Sequence, residues 1–210
     1  LTLFDDHNPA RSINISKFEY SKMIVAILSY LMMQQKDATG LVVFDSEIKS
    51  TIPPKNNKSH LNTILSIIEN TKIGNDTNIS KILHLGAEKI KKRGLVILIS
   101  DLLDEPNKVI DSLKHFKYNN NEVLVFHIMD PKEINLDYDE PTIFKDLETN
   151  QTIEAEPWQI NQSYEKEIKS LIKYYKTECS INKIDYNLII TNQKIEWVLS
   201  QFLNKRKKLL

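Results

Sequence analysis

The chain has 210 residues, of which 41% are hydrophobic, so it can bury one large core or two small ones. Its 28 basic and 28 acidic residues balance, which gives no global attraction to nucleic acid or to an anionic membrane. A single cysteine, Cys179, excludes an intramolecular disulfide and a cysteine-rich metal site.

The sequence contains no apolar run close to the roughly 18 residues that span a bilayer, and its first residues do not have the pattern expected of a signal peptide. We therefore predict no membrane insertion by this piece and expect a cytoplasmic location. The opening residues Leu1-Thr2-Leu3-Phe4 have the character of an interior segment, so we expect a fragment of a longer protein.

Apolar residues recur at helical spacing in six segments, each of which predicts an amphipathic helix. The first begins at a capping box, in which Ser16 caps free backbone donors and Glu19 reaches back. Gly94 is expected in the left-handed conformation that ends the third helix. The apolar residues that mark the six helices span residues 20–31, 61–68, 79–90, 109–116, 164–179 and 195–202.

Short runs of apolar and β-branched residues predict strands. Residues 95–99 are apolar at every position, as a parallel strand covered on both faces must be. Residues 47–52 are predicted to pair antiparallel at an edge and to end at Pro53-Pro54. The parallel strands are predicted at residues 41–44, 95–99, 123–127 and 186–190.

This alternation predicts an α/β fold: a doubly wound, mostly parallel sheet with helices on both faces. A small hairpin is predicted at residues 142–145 and 151–154. No repeat, linker or low-complexity segment interrupts the pattern, so one domain over residues 1–210 is the simplest division.

Polar residues beyond the carboxyl ends of the strands are the candidates for a site, because ligands of open parallel sheets bind there. Asp101 directly follows the most apolar strand, where a carboxylate needs a cation, backbone donors or a helix N-terminus. A cap for the turn at Leu102 explains Asp101 equally well. Thr77 lies in a polar loop before a helix, and local physics favours a helix cap there. Asp45 and Asp130 end two other strands.

The sequence gives little support to catalysis. Four glycines leave no Gly-rich phosphate loop, and no Ser or Cys stands with a His at the spacing of a known nucleophile motif. His127 lies within a strand and is interpreted as packed. We predict no enzymatic activity. The alternative is a Mg²⁺-dependent phosphoryl-transfer or hydrolase domain with Asp101 as nucleophile or metal ligand, for which companion acids and a lysine cannot be assembled.

Several segments resemble, in order, a bacterial family of unknown function whose members carry a von Willebrand factor A-like domain. These members are commonly encoded beside MoxR-type AAA+ ATPases. The resemblance implies a von Willebrand A-like, Rossmann-like interaction module that binds a MoxR-type AAA+ ATPase and an unknown client protein in assembly or activation. The matching segments are residues 16–20, 40–45, 52–54, 76–77, 93–104, 127–131, 144–149 and 184–186.

The resemblance also implies a metal-ion-dependent adhesion site for Mg²⁺, built from an Asp-x-Ser-x-Ser loop and two further loops. Thr77 matches the second-loop threonine, and Asp101 matches the third-loop aspartate. No Asp-x-Ser-x-Ser occurs in the chain, so that loop and the first central strand either precede Leu1 or have been lost from this protein. Because Thr77 and Asp101 are both present, we expect the loop and the strand to precede Leu1.

With the adhesion site incomplete, we predict that this chain binds no divalent cation tightly, since Mg²⁺ requires about six oxygen ligands. The side-chain oxygens of Thr77 and Asp101 are expected within about 6 Å of one another, close enough for one ion to bridge them. The substitution Asp101→Ala is expected to weaken partner binding and to leave folding nearly intact.

Overall fold

A computed structural model describes residues 15–72, 79–90, 93–134, 142–145, 152–155 and 157–207. Helices and strands alternate along this part of the chain. They are α1 (Lys17–Gln34), β1 (Thr39–Phe44), β2 (Ile48–Lys55), α2 (Lys58–Asn70), α3 (Ile79–Lys89), β3 (Leu95–Ser100), α4 (Pro106–Tyr118), β4 (Glu122–Met129), α5 (Pro131–Ile134), β5 (Thr142–Lys145), β6 (Thr152–Ala155), α6 (Pro157–Ile181), β7 (Asp185–Ile190) and α7 (Ile195–Lys207).

Three parallel strands form a sheet in the order β3-β4-β7. Successive side chains of β4 enter two different hydrophobic clusters, because neighbouring residues of a strand point to opposite faces. Leu124 and Phe126 pack with α1, α2 and α7, and Val123 and Val125 pack with α3, α4 and α6. The chain is therefore an α/β structure with helices on both faces of a parallel sheet, an arrangement compatible with a Rossmann-like fold.

The prediction that residues 41–44 form a parallel strand of this sheet is wrong. Among the strands of the described residues, β1 is paired with β2, and this pair is antiparallel. Side chains nevertheless connect the hairpin to the sheet, since Leu41 and Val43 enter one cluster and Phe44 enters the other. The run of apolar residues in β1 reflects burial on both faces. A strand of a hairpin can be buried in this way as well as a parallel strand, so the run does not indicate the direction of pairing.

Residues 95–99 were not expected at an exposed edge of the sheet, yet among the described strands β3 lies at an edge of the three-stranded sheet. Its first three residues are half-buried, and Leu98, Ile99 and Ser100 are buried. The carboxyl end of β3 is thus the well-covered end, and it leads directly into the turn that contains Asp101.

The strand β2 does not end at Pro53-Pro54 but continues through both prolines to Lys55. Proline lacks a backbone donor, and an edge strand tolerates that loss. The neighbouring strand approaches closely here: a Cβ on Gly40 would lie 2.8 Å from the carbonyl oxygen of Ile52. Glycine at this position therefore permits the pairing, and the register shifts between Thr39 and Leu41.

Of the two predicted helix-end features, the N-terminal cap of α1 is confirmed in part and the glycine at the end of α3 is not. Ser16 caps α1 as expected, accepting the Glu19 N–H at 3.1 Å, but the Glu19 carboxylate pairs with Lys22 at 3.1 Å. Gly94 does not adopt a positive φ, so its predicted left-handed conformation is wrong. Its N–H instead donates to Oδ1 of Asn121 at 2.9 Å, which aligns the start of β3 with the start of β4.

The small hairpin between residues 142 and 155 is confirmed, since β5 pairs antiparallel with β6. The six helices predicted from apolar spacing all occur within the described residues. None of the helices in this part of the chain combines the length and the apolar character that crossing a membrane requires.

Candidate functional site at the carboxyl edge of the sheet

The turn after β3 carries the central carboxylate of the site. Ser100 and Asp101 are buried, and the hydroxyl of Ser100 accepts the Leu102 N–H at 3.0 Å. Oδ1 of Asp101 accepts the Leu103 N–H at 3.4 Å. Leu102 is buried with a left-handed φ of 56°, a conformation that costs roughly 1–2 kcal/mol for a residue with a Cβ. Two side-chain acceptors and a buried leucine therefore hold a sharp turn at this point.

The ammonium of Lys17 lies against Asp101. Lys17 is the first residue of α1, and its Nζ is 3.2 Å from Oδ2 of Asp101. The two side chains are only 6% and 4% exposed, so this ion pair is largely removed from water. A buried charge without a partner is strongly unfavourable, which makes each group necessary to the other.

Glu133 is the second carboxylate on Lys17. Its Oε1 lies 2.5 Å from Nζ of Lys17, and its Oε2 accepts the Asp130 N–H at 2.8 Å. Asp130 in turn accepts the Lys132 N–H at 2.9 Å and the Thr191 hydroxyl at 3.2 Å. The ammonium therefore links the start of α1 to the ends of β3 and β4, and Thr191 adds the end of β7.

Burial and charge act in opposite directions on this cluster. Burial raises the pKa of Asp101 to about 6, and the nearby Lys17 ammonium limits that rise. Burial also acts to lower the pKa of Lys17, but Asp101 and Glu133 outweigh it, so this pKa lies above its ordinary value. At neutral pH the charged Lys17 ammonium therefore lies beside an ionised Asp101 carboxylate.

His127 lies beneath the edge as a packed residue, as the sequence predicted. It is 1% exposed, and its Nδ1 is 2.7 Å from the Tyr186 hydroxyl. Burial lowers the pKa of His127 to about 4, while a hydrogen bond to the backbone of Asp101 opposes the shift. The ring is therefore neutral near pH 7, with one nitrogen accepting from Tyr186 and the other donating to the Asp101 turn.

The predicted site residues fall in three groups. Asp101 and Asp130 occur together at the carboxyl edge, each in a hydrogen-bonded network. Asp45 serves its own hairpin turn, where it accepts the Glu47 N–H at 3.1 Å and lies 3.4 Å from Lys49. Thr77 lies outside the described residues, so its expected distance from Asp101 stays a prediction.

Sequence analysis did not predict Lys17 and Glu133 as members of the site. Nothing in the local sequence marks either residue as part of a site. Lys17 follows the N-terminal cap of α1, and Glu133 follows the Asp130-Pro131 turn. The statement that no lysine or companion acid could be assembled beside Asp101 is therefore wrong. Asp104 was also overlooked as a cap for a different helix: its Oδ2 accepts the N–H and the hydroxyl of Ser80, both at 2.9 Å.

The described residues at this edge do not fit a divalent cation beside Asp101. Mg²⁺ coordinates oxygen at about 2.0–2.1 Å, so an ion on Oδ2 would lie within a few ångströms of the Lys17 ammonium. Two adjacent positive charges in a buried place repel strongly. Within the described part of the chain, no group of three His, Cys, Asp or Glu side chains is arranged to hold a metal ion.

Cys179 and Asp101 are both poorly placed to act as nucleophiles. Cys179 is fully buried, and burial raises the pKa of its thiol to about 12. Asp101 has one carboxylate oxygen on Lys17 and the other on the Leu103 N–H. The contacts of Lys17, Asp101, Glu133 and Asp130 hold the three strand ends in place.

The fold and the charged edge define an α/β protein with a parallel sheet, and two solved structures share its architecture. One is titled "Crystal structure of conserved hypothetical protein BatB from Bacteroides thetaiotaomicron". It is 17% identical, with a TM-score of 0.54 over 92% of this chain and 89% of that one. The other is an aerotolerance-related membrane protein from Bacteroides fragilis NCTC 9343 with multiple mutations to serines. It is also 17% identical, with a TM-score of 0.55 over 92% and 90%.

The family is shown directly by sequence. Residues 6–171 match the family described as "Protein of unknown function DUF58", and the chain belongs to that family. No curated protein matches the chain. At 17% identity the two structures establish similarity of fold alone.

Proposed function

We propose that this chain is a von Willebrand A-like interaction module, one domain over residues 1–210, that binds a MoxR-type AAA+ ATPase in the cytoplasm. It acts on a client protein by binding, in assembly or activation, and breaks no covalent bond itself. The resemblance of the sequence motifs supports this function, and the fold that the chain shares with BatB and the aerotolerance-related protein is in keeping with it.

One observation carries the choice of the carboxyl edge as the binding surface. Leu103 is 58% exposed, although it directly follows the buried Asp101 and Leu102. A large exposed apolar side chain beside a fixed charged cluster has the composition of a protein contact, with an apolar anchor and polar groups around it. Trp197, 55% exposed, follows β7 and stands in the first turn of α7.

A matched pair of substitutions tests this surface. Leu103→Ser should weaken binding to the MoxR-type ATPase encoded in the same genome by at least about tenfold, as an interface anchor does. Ile181→Ser is the control: Ile181 is 68% exposed, but it precedes β7 and so belongs to the opposite end of the sheet. Surface plasmon resonance with immobilised ATPase measures both. Equal effects of the two substitutions, or no binding by the unmodified chain, would contradict the proposal.

A second candidate function has one observation in its favour. Lys17 and Glu133 supply the lysine and the companion acid that a phosphoryl-transfer site built on Asp101 needs. The 4% exposure of the Asp101 side chain opposes it, because a nucleophile must reach its substrate. We expect no hydrolysis of p-nitrophenyl phosphate with Mg²⁺. Activity that Asp101→Asn abolishes would favour the enzyme over the interaction module.

A further inference from the structure

The carboxyl edge contains a positive charge at the place where the resemblance implies a metal ion. The Lys17 ammonium is 3.2 Å from Asp101 and 2.5 Å from Glu133, and its side chain is 6% exposed. Three chain segments that are far apart in sequence converge on it: the start of α1, the turn after β3, and α5. A cation supplied by the chain itself therefore already bridges the two carboxylates.

We propose that Lys17 is the resident cation of this edge and replaces a divalent ion, so that the edge keeps its shape without metal. The ammonium does what a bridging cation would do: it holds two carboxylates from different loops together. This inference goes beyond the proposed interaction and does not depend on it, because its readouts are measured on the isolated chain.

The geometry explains why the two cations exclude one another. A divalent ion on Asp101 would have to share Oδ2 with the ammonium or displace it toward Glu133. Displacement takes the Asp101 carboxylate away from the buried Lys17 ammonium, and sharing places two cations in contact. Glu133 cannot simply turn away to follow the metal, since its other oxygen is fixed by the Asp130 N–H.

Removing the Lys17 ammonium should allow a divalent cation to bind at Asp101. In Lys17→Met the buried Asp101 and the partly exposed Glu133 lose their shared partner, and a divalent cation becomes the available substitute. Lys17→Arg keeps a positive charge and should keep the edge independent of metal. Lys22→Met is the matched control, because Lys22 lies on the same helix and pairs with the exposed Glu19.

The experiment is thermal unfolding of the full chain in excess EDTA and in millimolar Mn²⁺, with Mn²⁺ binding followed by electron paramagnetic resonance. For the unmodified chain, Lys17→Arg and Lys22→Met, the unfolding temperature of each protein should be the same in EDTA as in Mn²⁺. Lys17→Met should unfold at a lower temperature in EDTA and recover in Mn²⁺, with Mn²⁺ affinity raised by at least about tenfold. The recovery should disappear in Lys17→Met combined with Asp101→Asn.

Two results would overturn the inference. One is Mn²⁺ stabilisation of the unmodified chain that Asp101→Asn abolishes, which would place a divalent ion at the edge despite Lys17. The other is a folded Lys17→Met chain that ignores Mn²⁺. If Lys17→Met does not fold in EDTA, it is refolded in Mn²⁺; recovery of native circular dichroism supports the inference, and failure to recover counts against it.

Discussion

Nζ of Lys17 lies 3.2 Å from Oδ2 of Asp101, and both side chains are almost fully buried. Removing one partner leaves an uncompensated charge inside the protein, which costs about 3–5 kcal/mol. We therefore expect Lys17→Met to lower the free energy of unfolding by that amount in urea titration. Lys169→Met, which breaks the exposed pair with Glu165, should cost about 1 kcal/mol or less. Similar losses for the two variants would show that the buried pair is weakly coupled.

The same contact changes the expectation for Asp101→Ala. The sequence alone predicted nearly intact folding, but this substitution takes one carboxylate away from the buried Lys17 ammonium, which still contacts Glu133. We now expect a loss of about 3 kcal/mol. Adding Lys17→Met to Asp101→Ala should cost much less than the sum of the two single losses, because contacting residues are not additive. A double-mutant cycle in urea measures this, and an additive result would argue against a direct interaction.

The buried His127 should make stability depend on pH. Its pKa is about 4 when folded and near 6.5 when unfolded, so the unfolded chain binds more protons between these values. Stability due to this residue is complete above the unfolded value and is lost as the pH falls toward 4. Between about pH 7 and pH 5 the loss is about 2 kcal/mol. Asp101, with its raised pKa, contributes a smaller change of opposite sign.

The variant His127→Gln isolates this contribution, since an amide can still accept from Tyr186 and donate to the Asp101 turn. Urea unfolding of both proteins at the two pH values gives the comparison. The unmodified chain should lose about 2 kcal/mol more than the variant on acidification. Parallel pH profiles would mean that His127 does not titrate differently in the two states.

Asp104 caps α3 from a distant loop. Its Oδ2 accepts both the N–H and the hydroxyl of Ser80, at the start of that helix. Asp104→Ala should therefore cost about 0.5–2 kcal/mol, the usual range for a lost N-terminal cap. Asp111→Ala is the control, because Asp111 is an exposed α4 residue paired with Lys114. If both variants lose equal stability in urea, the cap contributes nothing specific.

Leu102 and Lys183 share a left-handed φ of 56° but differ in burial. Glycine relieves the strain at either position, at a cost in unfolded-chain entropy. At the exposed Lys183, substitution by glycine should change the free energy of unfolding by between zero and a gain of about 1 kcal/mol. At Leu102, which is 1% exposed, glycine also removes a core side chain and should cost about 2 kcal/mol or more. Thermal denaturation of Lys183→Gly and Leu102→Gly compares them; a gain at Leu102 would mean that strain outweighs packing.

The helices and strands were predictable because their signals are local. Ser16 caps α1 through a residue three positions away, and the spacing of apolar residues marks each helix from within. The pairing of β1 was not predictable in the same way. A run buried on both faces has one pattern whether its neighbour is parallel or antiparallel, and the neighbour is decided by contacts far along the chain.

The members of the charged cluster were likewise not all predictable from local sequence. The position of Asp101 after an apolar strand was enough to single it out, because a carboxylate there needs compensation. The compensating group was not identifiable, since Lys17 stands in the first turn of a helix, where a lysine is ordinarily solvated. Only the fold brings residues 17, 101 and 133 together.

The two ionic contacts of Lys17 close loops of 84 and 116 residues. Closing such long loops costs entropy before any contact compensates for it, so we expect these contacts to form late in folding. Until then the lysine and both acids remain hydrated, and docking of α1 withdraws the Lys17 ammonium and the Asp101 carboxylate from water together. A chain that docks α1 in the wrong place leaves those charges unmatched. Only the correct placement of the first helix brings the ammonium to its carboxylates. The ion pairs should therefore favour that placement over others after the local helix pairs have formed.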